Sequence, residues 1–323
     1  MMTLTIECPK ISTPQSKAHH HSIKLMGCHF VITAIHHDPD VAWNGIRSGV
    51  SEIQRIEKLI SSWTEDSETT KININAGVAP VKVSSELFNL IFRSLKVSEL
   101  TSGAFDISGT LSRYYWNFNG AKNQFLPSEK IEELRALINY KHIVLDKKKQ
   151  SVFLKKKGMK IGFGGIGKGY AAQRAKEVLY AMGIESGLIN ASGDLMCWGT
   201  PPNRNDWQIN IPDPCDNELS ILEISIPHGS IVSSGDSENY TLIDGERYSH
   251  IVDPRTALPV RGVRNATVIS ANPELADALA TAISVLGVID GIELVNQLNG
   301  IECMVIDQDN QKHYSNNLQS SFN

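Results

Sequence analysis

Four glycines within six residues, Gly162, Gly164, Gly165 and Gly167, deliver the chain into a segment of helical period. Glycines let backbone approach closely, and the helix that follows offers free N–H groups at its start. The spacing predicts that helix over residues 168–182, with Ala171, Ala175, Val178, Leu179 and Met182 on one face and Gly183 as the stop. The string satisfies G-x-G-x-x-G literally, and Gly162 with Gly167 and Lys168 begins a Walker A pattern. The context fits neither. A dinucleotide fold wants an acidic residue at the end of the next strand, where this chain runs Asn190, Ala191, Ser192. A Walker turn wants Ser or Thr after the lysine, where this chain has Gly169. An NAD-dependent dehydrogenase is therefore the last-ranked reading. Beyond tight packing, the turn is suited to a phosphate.

The remaining elements set the fold class. Helical period predicts helices over 39–59 (Val41, Ile46, Val50, Ile53, Ile56, Ile60), over 84–102 with Ser84 as cap, and over 128–138. Asn272 followed by Pro273 opens the last major helix. Residues 26–36 read as a strand, residues 117–130 as an exposed insertion, and 143–145 with 151–154 as paired strands around a lysine turn. Strands dominate after residue 187, and Asp244-Gly245 marks a tight hairpin between 240–243 and 247–252. Helices and strands mix without strict alternation, so an α+β fold with mixed or antiparallel sheets is expected rather than a doubly wound one. Residues 1–22 read as a flexible arm containing His19, His20 and His21. Residues 23–315 read as a single domain, and 316–323 as a tail.

Bulk properties exclude several classes. A net charge of −4 over 323 residues leaves no electrostatic footprint for nucleic acid. Five widely spaced cysteines with no CxxC pair argue against a disulfide framework or a zinc ribbon. No run of 18 apolar residues is present, so no membrane helix is expected. No apolar stretch of the signal-peptide kind precedes Cys8, so the chain as it stands is expected in the cytoplasm. Removal of a leader would move that expectation to the periplasm or a membrane surface.

Two further motifs carry chemistry. Asp277 and Thr281 are four residues apart and share a helix face. One carboxylate and one hydroxyl, joined by a backbone carbonyl from the glycine turn, make a partial shell for Mg2+, which prefers oxygen ligands and accepts substrate phosphates as the rest. His250 stands near the end of a hairpin strand before Asp253-Pro254, and imidazole is suited to proton transfer near neutral pH.

These segments, in order, carry a family resemblance. They are Met26-Gly27, Ser62-Trp63, Ser102 to Asp106, Gly164 to Tyr170, Asn190 to Asp194, Ser234 to Asp236, His250 to Pro254, and Ala276 to Thr281. Over about residues 24–306 the chain resembles the flavin transferases of the ApbE family. The resemblance implies an ApbE-like (T-fold-like) architecture. It also implies an enzyme that binds FAD with Mg2+ and splits the diphosphate. FMN would pass to a Ser or Thr hydroxyl of a partner protein as a phosphoester, with release of AMP. The acceptor would be a protein with a flavinylation motif, such as a redox or electron-transport subunit. By the resemblance Met26, Trp63, Ala104, Phe105 and Asp106 are flavin-site residues, and Gly162, Lys168 and Ile251 line the rest of the FAD. Gly165 (through its carbonyl), Asp277 and Thr281 would hold the metal, and His250 would assist the attacking hydroxyl. In this chain Gly162 stands where many members carry an acidic residue. Ala280 stands where some carry a second metal-binding Asp. Two alternatives use the same site: a Mg2+-dependent FAD pyrophosphatase giving FMN and AMP, and a non-catalytic FAD-binding protein.

Overall fold

The computed structural model describes residues 16–213, 220–235 and 239–320. Its centre is an eight-stranded sheet whose spatial order is its chain order: Lys17–Leu25, Cys28–His36, Ser186–Ala191, Asp194–Trp198, Gly229–Gly235, Val263–Ser270, Ile301–Asp307 and Lys312–Tyr314. Every neighbouring pair is antiparallel. Among the described residues the α-helices inserted between these strands are α1 (Pro39–Ile60), α2 (Glu68–Ile74), α3 (Ser85–Leu100), α4 (Ser128–Leu137), α5 (Gly167–Ala181), α6 (Pro273–Leu286) and α7 (Val288–Asn296), with α8 (Asn316–Ser320) after the last strand.

Period-two alternation divides the sheet's residues between two layers. Ile32, Ile189, Val232, Val268, Cys303 and Val305 point to one face, where α1, α5, α6 and α7 bury them. Ile231, Met304 and Ile306 point to the other face, covered by the hairpin of Trp207–Pro212 with Ser220–Ile226 and by Leu318 of α8. The α+β expectation holds, and α1, α3, α4, α5 and the start of α6 sit where the sequence put them, whereas α2, α7 and α8 were not expected. In α1, Ile46, Ile53, Ile56 and Ile60 are buried, and Asp38 caps the first turn by accepting from the Asp40 and Val41 N–H groups. The Asp244-Gly245 turn has φ of 52° and 85° at its two residues, the left-handed pair that a tight hairpin requires.

Several expectations are corrected. The arm read over 1–22 does not hold for its last residues, because Lys17–Leu25 is an edge strand paired over nine residues with Cys28–His36, while residues 1–15 lie outside the described residues. His19, His20 and His21 lie within it, opposite Ala34, Thr33 and Ile32. An exposed edge strand is held by its ladder and needs no apolar alternation, so pattern reading misses it. Met26 and Gly27 are the turn of this hairpin, at φ 51° and 77°, and the strand begins at Cys28. The stretch read as an insertion contains a strand, Asn119–Asn123, parallel to Tyr240–Ile243. The tail read from 316 starts with α8, anchored by buried Leu318.

Two contacts fix the helices that matter most for the site. Arg93 of α3 donates to Glu274 in the first turn of α6 through Nε (2.7 Å) and Nη2 (2.9 Å). Tyr170, in the first turn of α5, donates its hydroxyl to Glu86 of α3 at 2.6 Å. Between α5 and α6 the backbones touch: a Cβ at Gly169 would run into the carbonyl oxygen of Pro273 and lie 3.0 Å from Asp277 Cβ. Backbone cannot yield there as a side-chain tip could. Gly169→Ala is expected to lower the unfolding free energy by about 1–3 kcal/mol, the usual cost of overpacking, in urea titration.

Candidate functional site

The glycine turn enters α5 without a local side-chain cap, since Ile166 occupies the N-cap position. The cap comes from another helix. Asp277 of α6 accepts from the Gly169 N–H at 3.0 Å, and the Lys168 N–H also favours its ionised form. Asp277 is 2% exposed. Burial lifts its carboxyl well above the ordinary range, and the neighbouring Asp194 adds to this, while Lys168 pulls the other way. Lys168 itself is ion-paired with Asp194. Burial lowers the ammonium, but Asp194 and Asp277 more than offset that and hold it above its usual value. The second oxygen of Asp194 accepts from the Ser233 N–H at 3.1 Å. Two buried carboxylates thus share one ammonium.

Beside them, a Cβ at Gly165 would lie 2.7 Å from Thr281 Oγ1, so the backbone of the turn passes directly against that hydroxyl. Asp277, Thr281 and Gly165, the three residues expected to hold a metal, therefore surround the start of α5. Among the described residues there is no cluster of three or more His, Cys, Asp or Glu that could cage a metal. Oxygen ligands beyond these three would have to come from a ligand or water.

The segment Ile107–Tyr114, a 3-10 helix, runs past the other side of the turn. Gly162 donates its N–H to Ile107 O at 3.0 Å, and a Cβ there would meet Thr110 Oγ1 at 2.7 Å. Asp106 caps this helix. Its Oδ1 accepts from the Ser108 N–H and hydroxyl, both at 2.7 Å, and its Oδ2 from the Tyr140 N–H at 2.6 Å. Burial pushes its carboxyl up to about 6 against these bonds. Ala104 and Phe105 are buried, Phe105 within the main core, so both face inward. Trp63 is 71% exposed and packs on Tyr114, ring centroids 5.0 Å apart, while Lys160 Nζ lies 3.9 Å over the Tyr114 ring. Met26 Cε would be 3.4 Å from a Cβ at Gly167, which places Met26 at the mouth of the same turn.

His250 and Ile251 come from the segment after the Glu246–Ser249 strand. His250 Nδ1 is 3.2 Å from the Asn239 carbonyl, which can only accept. In the neutral ring the proton therefore sits on Nδ1 and the Nε2 lone pair is free. Burial, helped by the positive charges of Arg113 and Lys168, pushes its pKa down to about 4. Ile251 is buried beside it. Reading the sequence singled out neither Asp194 nor Arg113, Tyr114 and Lys160. Asp194 lay within the motif Asn190 to Asp194 and Lys160 at the head of the glycine stretch, without a role given to either, whereas Arg113 and Tyr114 meet the turn only through tertiary packing.

A family model for the ApbE family matches residues 26–305. The chain belongs to the ApbE family. It is 30% identical to an FAD:protein FMN transferase of Klebsiella pneumoniae (strain 342) over 294 residues, 90% of each protein. It is 28% identical to one from Treponema pallidum (strain Nichols), covering 79% of this chain and 74% of the other. The crystal structure of the ApbE protein from Thermotoga maritima superposes with a TM-score of 0.86 at 29% identity, covering 94% of this chain and 99% of that one. The apo flavinyl transferase ApbE from Pseudomonas stutzeri shares the fold at a TM-score of 0.84.

The burial of Asp277 gives a pH prediction for this ApbE protein. A carboxyl whose folded pKa is raised stabilises the fold below its unfolded value, near 3.8, and that contribution is lost as pH rises through about 7. In EDTA, Asp277→Asn keeps an oxygen to cap α5 and removes the buried charge. It should therefore unfold at higher urea than the parent at pH 8, with the gap closing toward pH 4.

Proposed function

We infer that this chain carries the activity for which its relatives are named, transfer of FMN from FAD to a protein, and that the acceptor atom is a Ser or Thr hydroxyl. Family membership over nine-tenths of both chains supports the substrate and the transferase class. The observation that carries the chemistry is the meeting of two features at one turn, with a third, an imidazole, near enough to feel the charge of Lys168. The two are the start of α5 and a buried carboxylate with a hydroxyl beside it on α6; the imidazole has a free Nε2.

Each residue has a task in that reaction. The N-terminus of α5 and its glycines leave room and N–H groups for the diphosphate. Lys168 lines the start of the helix with its ammonium already balanced by Asp194. Trp63 offers an exposed indole face to the isoalloxazine, beside Tyr114. His250 accepts the proton of the acceptor hydroxyl at Nε2 while Nδ1–H stays bonded to Asn239 O. The acceptor oxygen then bonds to the FMN phosphorus. The bond from that phosphorus to the bridging oxygen breaks, and its electron pair leaves on AMP.

The donor set fits Mg2+: an Asp277 carboxylate, the Thr281 hydroxyl and the Gly165 carbonyl are hard oxygen ligands, too few to close a shell without substrate phosphates. When bound there, Mg2+ would neutralise diphosphate charge and polarise the phosphoryl group.

The test is incubation with FAD, Mg2+ and a Ser/Thr acceptor peptide, read by intact mass. Gain of one FMN residue on the acceptor with release of AMP is the expected result. AMP and free FMN with unmodified acceptor would replace the transfer reading with hydrolysis, and FAD retained without AMP would leave only binding. His250→Gln should lower kcat by roughly 10²–10⁴-fold, the range for a lost general base. Because the free-enzyme imidazole titrates near 4, kcat/KM should not fall through the usual histidine range as pH drops from 8 to 5.5. With Mg2+ saturating, so that Asp277 stays ionised, an acid limb near 6.5 would contradict the placement of His250.

A further inference from the structure

We propose that Arg113, on the Ile107–Tyr114 segment, is a further substrate-binding residue of this site: its guanidinium takes the diphosphate of FAD across the glycine turn and holds the charge left on AMP. The proposal rests on the flavin-transfer reading above.

The placement is geometric. Arg113 Nη1 would stand 3.2 Å from a Cβ at Gly164, so the guanidinium lies against the turn one residue before Gly165. Its segment is tied to the turn at the other end by the Gly162 N–H to Ile107 O bond. It also reaches the histidine side: a Cβ at Gly109 would be 3.3 Å from Pro254, four residues after His250. Arg113 thus lies against the turn, on a segment that also packs on the loop after His250.

Its surroundings lack an anion. The other arginines near the helix ends are committed: Arg93 to Glu274, Arg55 to Glu52 and Glu86, Arg255 to Asp253. Lys168 is committed to Asp194. Arg113 has no hydrogen bond or ion pair among the described residues, and its charge is felt at His250. A solvated surface arginine needs no such position. Lys168 is already balanced by Asp194 and the His250 ring is uncharged near neutral pH, so Arg113 brings an unbalanced positive charge to the turn, which an anion would neutralise. Guanidinium presents paired donors that match phosphate oxygens, and a bond of this kind strengthens as charge builds on the leaving group. Arg113 neither gains nor loses a proton in the step. The acceptor proton goes to His250, and the electron pair of the broken phosphorus–oxygen bond goes to AMP.

The experiment compares FAD with riboflavin, which lacks the diphosphate. Binding of each to the full-length protein with Mg2+ is followed by flavin fluorescence, for the parent, Arg113→Ala and Arg113→Lys. Arg113→Ala should weaken FAD binding or lower kcat/KM for FAD by about 10–100-fold, the loss expected for one charge-assisted hydrogen bond. Riboflavin binding should stay within twofold, and Arg113→Lys should recover part of the loss. Equal loss for both flavins would mean a structural role and overturn the proposal, as would no loss in FAD binding and turnover. If the parent binds FAD but modifies no acceptor and releases no AMP, the transfer reading falls, while the FAD-to-riboflavin contrast still judges the arginine contact.

Discussion

Capping of α5 by Asp277 is the constraint on which the rest of the site depends. A helix that begins at glycines with isoleucine at the cap position has unsatisfied N–H groups, and nothing in its own sequence supplies the acceptor. The acceptor arrives from α6, and that is possible because Gly169 lets the two first turns touch through backbone. Once the helices are so joined, Thr281, one turn further along α6, falls against Gly165. Lys168 is set between Asp194 and Asp277 by the same contact. The clamp from α3, through Arg93 to Glu274 and Glu86 to Tyr170, fixes both helices from outside without entering the site.

The electrostatics follow from that packing. Two buried carboxylates around one ammonium leave a surplus of negative charge on the inner side of the turn, and burial makes it costly. Arg113, Lys160 and His250 lie toward the outer side, with positive or protonatable groups and few acids. A divalent cation complements the first region and a diphosphate the second. On the proposed reading, this division of charge along one turn of backbone would orient a metal–diphosphate ligand before any side chain reads its ends.

Much of the architecture was legible from the chain. Helical period located α1, α3 and α5, because each buries a continuous apolar stripe, and Asn272 with Pro273 marked the start of α6. The Asp244-Gly245 turn needed only its two residue types. The first strand was hidden, since its run of histidines and lysines along a sheet edge shows no apolar alternation, although His19 packs on Trp43. α7 follows α6 across a single Gly287, so the two read as one element. In the site, Asp277 and Thr281 were visible through their spacing on one helix. The Lys168–Asp194 pair was not, because 26 positions separate partners that only the sheet brings together. Arg113 carried no local signal at all; its meaning comes from the absence of a neighbour.

The agreement between chain order and sheet order has a consequence for assembly. The pairs Lys17–Leu25 with Cys28–His36 and Ser186–Ala191 with Asp194–Trp198 close through short turns first. The long connection between them, which carries α1 to α5, closes later because loop closure grows costlier with separation. As the chain leaves the ribosome, the first four strands with α1 and α5 can form before α6 exists. Lys168 and Asp194 would already be paired in that half, while the start of α5 still lacked its acceptor. The arrival of α6 then completes the helix cap and the oxygen cluster in one event, so a protein truncated before residue 273 would retain the charge pair but never acquire the carboxylate that joins the two halves.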